Sequence, residues 1–291
     1  MTSEVAARGS TARHLASVSR YYRSGESLLG YSYLLGGTKH FGYYAPGDPG
    51  WRLHPAMRRM EDQLAERLAL PPGAVVLDAG CGVGDVAARL AGVHGLHVTG
   101  IDILDFNLAT ARERARARGL AGRTAFLEMD YAALAFPDGS FDGAYTMETL
   151  VHSDNVERVL HGLHRVLRPG GRLVLFEYSR TPEAHLTPRA ARVLREVNEG
   201  AAMPGFQRLA HGLLEQLLAD AGFVDVAAED LTARMLPMLR VFARLGWLPY
   251  HGARLLGRAD HAVNAMSGVE LYRHREAWRY QAYTCRKPDA S

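Results

Sequence analysis

The chain has 291 residues, 47% of them hydrophobic and 22% charged, the composition of a soluble globular fold with room for one large domain and an insert. A formal net charge of +3 is too small to argue for nucleic acid, and two distant cysteines, Cys81 and Cys285, exclude a disulfide framework and a metal-ligand spacing. No run of about 18 apolar residues marks a transmembrane helix, and no apolar run after Arg8 and Arg13 forms a signal-peptide core, so a cytoplasmic protein is expected.

In chain order, residues 1–12 read as disordered. Residues 12–35 read as helical, with Leu15, Val18, Tyr21, Tyr22, Leu28, Leu29 and Leu34 near helical spacing and a break at Gly25. Leu35 to Tyr44 packs three glycines, a lysine and a set of rings into ten residues, which suits a lid or pocket wall; an arm packed on the core is the alternative. His54 to Leu70 is an amphipathic helix with Met57, Met60, Leu64 and Leu68 as its stripe.

Then strands and helices alternate, as in a doubly wound sheet. Val75–Ala79 is a buried strand, followed by Gly80-x-Gly82-x-Gly84 and a helix to about Ala91. His97–Asp102 is the second strand, 104–118 a helix capped by Gly119, 124–130 the third strand and 143–147 the fourth. A helix over 155–167, a turn at 167–171 and a fifth strand over 172–178 follow, then helices near 190–198 and 206–221. A sixth strand runs from Gly222 to about Ala228. Pro237, Gly246 and Pro249 are expected to break the apolar stretch 235–258 into short helices, before a last strand near 278–286 with Trp278, Tyr280, Ala282 and Thr284 on one face. The expected division is a helical arm or lid over 1–56, a core over 57–234, a helical insert over 235–268, and the last strand of the core within 269–291. Residues 234–291 carry ten Arg or Lys against four Asp or Glu, read either as a solvated face or as a match for an anionic group or membrane surface.

The glycine turn after a strand marks a nucleotide site, and a helix opening behind it offers unpaired N–H groups. A lone turn of this kind is weak. Asp78 just before it adds to it, because a carboxylate there suits an ammonium and repels a pyrophosphate. Asp102, 22 residues past Gly80, stands at the neighbouring strand tip, where an ionised acceptor pair meets ribose hydroxyls. Asp130 ends the next strand, where a carboxylate can accept from an adenine amine.

Strand, Asp78, then Gly80-x-Gly82-x-Gly84 resembles motif I of the class I S-adenosylmethionine (SAM) methyltransferases, and Leu167-Arg168-Pro169-Gly170-Gly171-x-Leu173 resembles their turn before strand five. The resemblance implies a seven-stranded, mostly parallel Rossmann-like α/β fold with SAM as cofactor and S-adenosylhomocysteine as product. SAM would be held by Asp78, Gly80, Gly82, Asp102, Ile103, Asn107, Asp130, Tyr131 and Met147. Tyr21-Tyr22, His40-Phe41-Gly42, the run Met147 to His152, and Arg286-Lys287-Pro288 look like the sterol C-24 methyltransferases and their terpenoid relatives; Leu35-Gly36-Gly37 stands where that group has a tryptophan-glycine pair.

That group implies methyl transfer to an alkene carbon of a small apolar, isoprenoid or sterol-like substrate. The site must then exclude water, stabilise a carbocation with rings, and take up a proton. Glu148, His152 and Tyr22 are the catalytic candidates, with Glu148 and His152 one helical turn apart. Tyr21, His40, Tyr43, Tyr44 and Glu177 are the substrate candidates. A helix-terminal carboxylate and a satisfied core histidine are the plain readings of Glu148 and His152. O- or N-methylation of a small natural product and a silent SAM-binding regulator stay open. No metal, no nucleic acid and no transmembrane partner is expected, and a homo-oligomer is allowed without a motif that calls for one.

Overall fold

The computed structural model describes residues 16–23, 35–257 and 262–290. Leu15, Leu28, Leu29 and Leu34, and the expected disorder of 1–12, lie outside the described residues. Within them, residues 16–22 are helical.

The first full helix is α1 (Leu53–Leu68), whose buried residues include Met57, Met60, Leu64 and Leu68. The core then alternates β1 (Val75–Ala79), α2 (Asp85–Val93), β2 (His97–Asp102), α3 (Asp105–Ala117), β3 (Thr124–Glu128), β4 (Phe141–Met147), α4 (Val156–Val166) and β5 (Leu167–Arg180). After β5 come α5 (Pro188–Gly200), α6 (Pro204–Arg208), α7 (Leu213–Asp220), β6 (Val224–Asp230), α8 (Thr232–Leu255), α9 (Val263–Arg273) and β7 (Trp278–Arg286). Local chemistry fixes several starts: Asn155 accepts from Arg158 N at 2.9 Å, and Thr187 accepts from Ala190 N at 3.2 Å with Pro188 at the first helical position.

The expected seven-stranded sheet is present, in the order β3-β2-β1-β4-β5-β7-β6. Its first five strands pair in parallel and β7 runs antiparallel between β5 and β6. Val76, Leu77, Ala144, Tyr145, Val174 and Leu175 are fully buried, as in central strands covered by helices on both faces. From β1 the chain goes to β2 on one side and, later, to β4 on the other. The crevice at that reversal, beyond the carboxyl ends of β1 and β4, is where such sheets take ligands.

Three expectations about elements change. The single helix over 206–221 is two helices, because Gly212 at φ +83° turns the chain at the start of α7. The stretch with Pro237 and Pro249 is one 24-residue helix, α8. Each proline removes one backbone donor, and burial of Met235, Met238, Leu239 and Tyr250 outweighs that loss. Strand β7 does not alternate, since Tyr280, Gln281, Ala282 and Tyr283 are all buried: the sheet is covered on both faces here as well.

Helices α8 and α9 form the insert between β6 and β7 and lie close together. A Cβ on Gly246 of α8 would meet Ala265 Cα and O at 3.0 Å, and one on Gly268 of α9 would meet Phe242 at 3.3 Å. Gly246→Val should therefore cost about 1–3 kcal/mol through overpacking, read as a lower thermal midpoint; an unchanged midpoint would mean that the two helices are not held at this distance.

Candidate functional site

At the end of β1, Gly80 N and Cys81 N both donate to Ile101 O at 2.9 Å, folding the glycine turn over the tip of β2. The glycines do different work. Gly80 (φ +101°) has no room for a Cβ, which would sit 2.7 Å from Thr149, and Gly84 (φ +78°) would clash with Ala111 and Phe126. Only Gly82 (φ +51°) faces open space. Protein packing, rather than approach of a ligand, thus accounts for two of the three glycines.

This turn floors a cavity whose wall includes Asp78, Gly80, Gly82, Asp102, Ile103, Asn107, Tyr131 and Met147, all nine cofactor candidates but Asp130. Asp130 instead caps the turn at 131–133 by accepting from Ala132 N at 2.8 Å, and it is not on the wall. Asp102 accepts from Gly82 N (2.9 Å), Leu104 N (2.8 Å) and Asn107 Nδ2 (3.3 Å), which fixes its carboxylate at the strand tip with capacity left for a further donor. Tyr131 donates to Thr149 O at 3.0 Å. Asp78 is buried, and its Oδ2 makes no hydrogen bond of normal geometry, although the Tyr145 hydroxyl lies near enough to favour the ionised carboxylate; Asn107 Oδ1 has no hydrogen-bond partner among the described residues. Two orphaned acceptors on one wall, one of them a carboxylate, are the donor-seeking pair that an amino-acid ammonium and ribose hydroxyls would satisfy. Burial, with the Asp102 charge adding to it, pushes the Asp78 carboxyl up to about 7.

Beyond β4 the chain turns at Glu148, a non-glycine residue in the left-handed region (φ +59°). This conformation costs of order 1–3 kcal/mol. It is held because Glu148 N donates to Phe176 O at 2.8 Å and the side chain is tied on every side. Oε1 accepts from Phe41 N at 2.6 Å and Tyr280 Oη at 2.8 Å, and Oε2 accepts from Tyr178 Oη. Tyr178 and Tyr280 are register partners on β5 and β7. Burial pushes the Glu148 carboxyl above its ordinary range, against the pull of these donors.

The expected helical turn from Glu148 to His152 is a short 3-10 turn, Leu150–His152, and the two side chains point to different partners. His152 Nδ1 bonds Ala202 O at 2.8 Å; since a carbonyl only accepts, this nitrogen carries the hydrogen, and in the neutral ring Nε2 accepts from Tyr22 Oη at 2.8 Å. Tyr22 and His152 both line the glycine-turn cavity.

Three substrate candidates take other places. Tyr44 is buried in a satellite core and donates to Gly50 O at 2.8 Å. Tyr43 packs under the Arg234 guanidinium, 5.4 Å from its ring centroid, and lines neither this cavity nor the apolar one described below. Glu177 is fully buried; its Oε1 accepts from Thr146 Oγ1, Thr149 N and Leu150 N at 2.8–3.0 Å, so it shapes the turn that carries Glu148 and lines neither this cavity nor the apolar one. Burial pushes its carboxyl up to about 8. His40 does line the site, but its ring is committed: Nδ1 donates to Phe41 O at 2.9 Å and Nε2 lies 3.3 Å from Glu61 Oε1. Burial opposes its protonation, yet Glu61 prevails and raises it; with both nitrogens engaged, the ring is held by the protein on each edge.

A second cavity, of about 480 Å³, adjoins the first; Lys39, His40 and Glu148 line both. Its walls are apolar and aromatic, among them Phe41, Met203, Phe206, Leu239, Phe242 and Trp278, with Tyr21 of the arm donating to Asn264 Oδ1 at 2.6 Å across one end. Segment 36–42 divides the two spaces. It is anchored by Thr38 Oγ1 donating to Asp85 at 2.8 Å, Arg114 donating to Gly36 O at 2.7 Å, and Phe41 N on Glu148. Lys39 sits 3.9 Å over the Tyr22 ring, and burial lowers its ammonium to about 8. Sequence reasoning missed Lys39, Tyr178 and Tyr280. Nothing along the chain signals that β5 and β7 pair, which alone brings the two phenols to one carboxylate.

If Asp78 meets the ammonium of SAM, affinity should depend on its ionisation. The raised value means that the free folded protein holds an extra proton up to about pH 7, a stabilisation present below about pH 4 and lost as pH rises through 7. SAM affinity measured by titration calorimetry should fall about tenfold per pH unit below 7, and Asp78→Asn should both weaken binding by about 1.5–3 kcal/mol and flatten that acid limb. An unchanged pH profile in the variant would remove Asp78 from this role.

Comparison with known proteins agrees with this geometry. Residues 77–175 match the model of a methyltransferase domain family. The chain is 42% identical over 279 residues to the S-adenosyl-L-methionine-dependent Diels-Alderase iccD of Talaromyces variabilis, covering 93% of this chain and 94% of the relative. It is 34% identical over 221 residues to the sterol 24-C-methyltransferase ERG6B of Gibberella zeae, covering 75% of this chain and 56% of that protein. Among solved structures, the [4+2]-cyclase SpnF superposes with a TM-score of 0.74 at 28% identity, covering 91% of this chain and 93% of that one. The glycine turn, its orphaned acceptors and these relatives together place the chain in the class I SAM-dependent methyltransferases, as an enzyme of the group that includes the sterol 24-C-methyltransferases, with SAM as its cofactor.

Proposed function

We propose that this enzyme closes a ring in a largely apolar, polyunsaturated chain by an intramolecular [4+2] addition, with SAM bound beside the reacting carbons. The observation that carries the reading is the 480 Å³ apolar cavity that shares Lys39, His40 and Glu148 with the SAM-type cavity. A flexible polyene confined by such walls is folded back on itself, and holding diene and alkene in contact removes much of the entropic barrier to the step. The reaction balances within the substrate: two carbon–carbon σ bonds form as two π bonds are consumed, and no proton enters or leaves. It needs no free base, and the acid–base groups at the junction are already engaged, Glu148 by Phe41, Tyr178 and Tyr280 and His152 by Tyr22 and Ala202. Bound SAM supplies a sulfonium with a transferable methyl group and a fixed positive charge. The name borne by the near full-length relative and that of the solved cyclase support this reading.

A second reading, C-methylation of an alkene carbon in a terpenoid or sterol-like substrate, is favoured by the placement of Glu148 on both cavities, where a carboxylate would face a developing carbocation. In either reading the chain excludes water through Phe41, Phe242 and Trp278, and Lys39 and Tyr21 supply the polar contacts that orient the substrate.

Incubation with SAM and linear conjugated polyenes, followed by mass spectrometry, separates the two. Ring closure gives a product isomeric with its substrate, formed only when SAM is present and without accumulation of S-adenosylhomocysteine. A product heavier by one methylene, with an equal amount of S-adenosylhomocysteine, would overturn ring closure in favour of methyl transfer.

A further inference from the structure

Helix α8 buries one face in the fold and leaves another covered by nothing described. Leu245, Trp247, Leu248, Leu255 and Leu256 make up five of the nine exposed large hydrophobic residues among those described, with Leu248 73%, Leu255 89% and Leu256 75% exposed. At 100° per residue, positions 245, 248 and 255 fall within about one third of the helix circumference, and Leu256 follows as the C-terminal cap residue. Arg240, Arg244 and Arg254, all exposed, lie along the neighbouring arc with Trp247, and α8 contains no Asp or Glu. Solvated helix faces do not expose leucine at this density, and patches of this kind mark interaction sites.

We infer that this face of α8 docks the protein on an anionic lipid bilayer. An apolar arc bordered by arginines and an interfacial tryptophan, with no acidic residue, is the pattern of a helix lying in the headgroup plane. The charge matches: a negative leaflet attracts each of the arginines, while the leucines enter the acyl boundary. Docking is peripheral, since no helix among the described residues is long and apolar enough to cross a membrane. The position is also useful. Leu245, Gly246 and Pro249, on the same turns, line the apolar cavity, so the docked face sits at the cavity wall and a lipophilic molecule can pass from bilayer to cavity with little exposure to water. The docking surface stands whichever reaction the cavity serves.

The test is co-sedimentation of the full chain with vesicles of phosphatidylcholine containing about one quarter phosphatidylglycerol, beside vesicles of phosphatidylcholine alone. The protein should partition to the anionic vesicles and less to the neutral ones, with added salt weakening the difference. Leu248→Glu with Leu255→Glu should reduce partitioning more than about tenfold, and Arg244→Gln with Arg254→Gln should abolish the preference for anionic lipid. None of these four residues lines either cavity, so SAM binding and thermal midpoint should stay as in the parent and show the variants to be folded. Equal partitioning of parent and leucine variant, or no partitioning of a folded parent, would overturn the proposal. So would a dimer in size-exclusion chromatography that the leucine substitutions split, because a second copy would then be what covers α8.

Discussion

The site depends on one buried carboxylate. Glu148 stands at the tip of β4 in a left-handed conformation that an unassisted glutamate avoids, and its two oxygens collect a backbone N–H from segment 36–42 and phenols from β5 and β7. Hydrogen bonds to a charged group contribute about 1.5–3 kcal/mol each, so the set outweighs the roughly 1–3 kcal/mol of backbone strain. The residue joins four separate parts of the chain at one point. It also forms part of the boundary between the SAM-type cavity and the apolar cavity, so the geometry of both follows from how it is held.

Glu177 supports this from behind. Its Oε1 gathers Thr149 N, Leu150 N and the Thr146 hydroxyl and so sets the turn that leaves β4, while burial keeps the group inclined to its neutral form. Segment 36–42 closes the arrangement from the front. The Asp85 carboxylate, at the first turn of α2, accepts from Thr38 and pairs with Arg114 and Arg118, and Arg114 also reaches Gly36 O. The first turn of the helix that follows the glycine turn thus anchors segment 36–42. His40 belongs to the same layer: its pairing with Glu61, which Arg89 approaches at 3.4 Å, makes it part of a buried charge network rather than a reacting ring.

The insert explains how a fold common to many activities acquires a roomy apolar site. Helices α8 and α9 pack closely because Gly246 and Gly268 carry no side chain at their contact, and their inner residues roof the cavity over β5 and β7. The outer face of α8 then carries exposed leucines beside arginines, of which Arg240 also donates to the Tyr272 hydroxyl at 3.0 Å. The roof and segment 36–42 are the parts of this chain that shape the apolar cavity, while the glycine turn and the strand tips shape the other.

What the sequence by itself determined is what local pattern and spacing encode. The strand–Asp78–glycine run, Asp102 at the next strand tip and the alternation of strands and helices specify a doubly wound sheet and a SAM site, because neighbouring residues of the chain build that turn. What only the tertiary structure decided is which distant residues converge. Tyr43, Tyr44 and Glu177 look like site residues by type and lie elsewhere, since burial and partner choice are set by packing. Tyr178 and Tyr280 look like strand residues and meet on Glu148 because β7 inserts antiparallel beside β5, a pairing across about a hundred residues that no local spacing records. The same holds for α8: its prolines suggest breaks, and only the neighbouring helix and sheet provide the burial that keeps it whole.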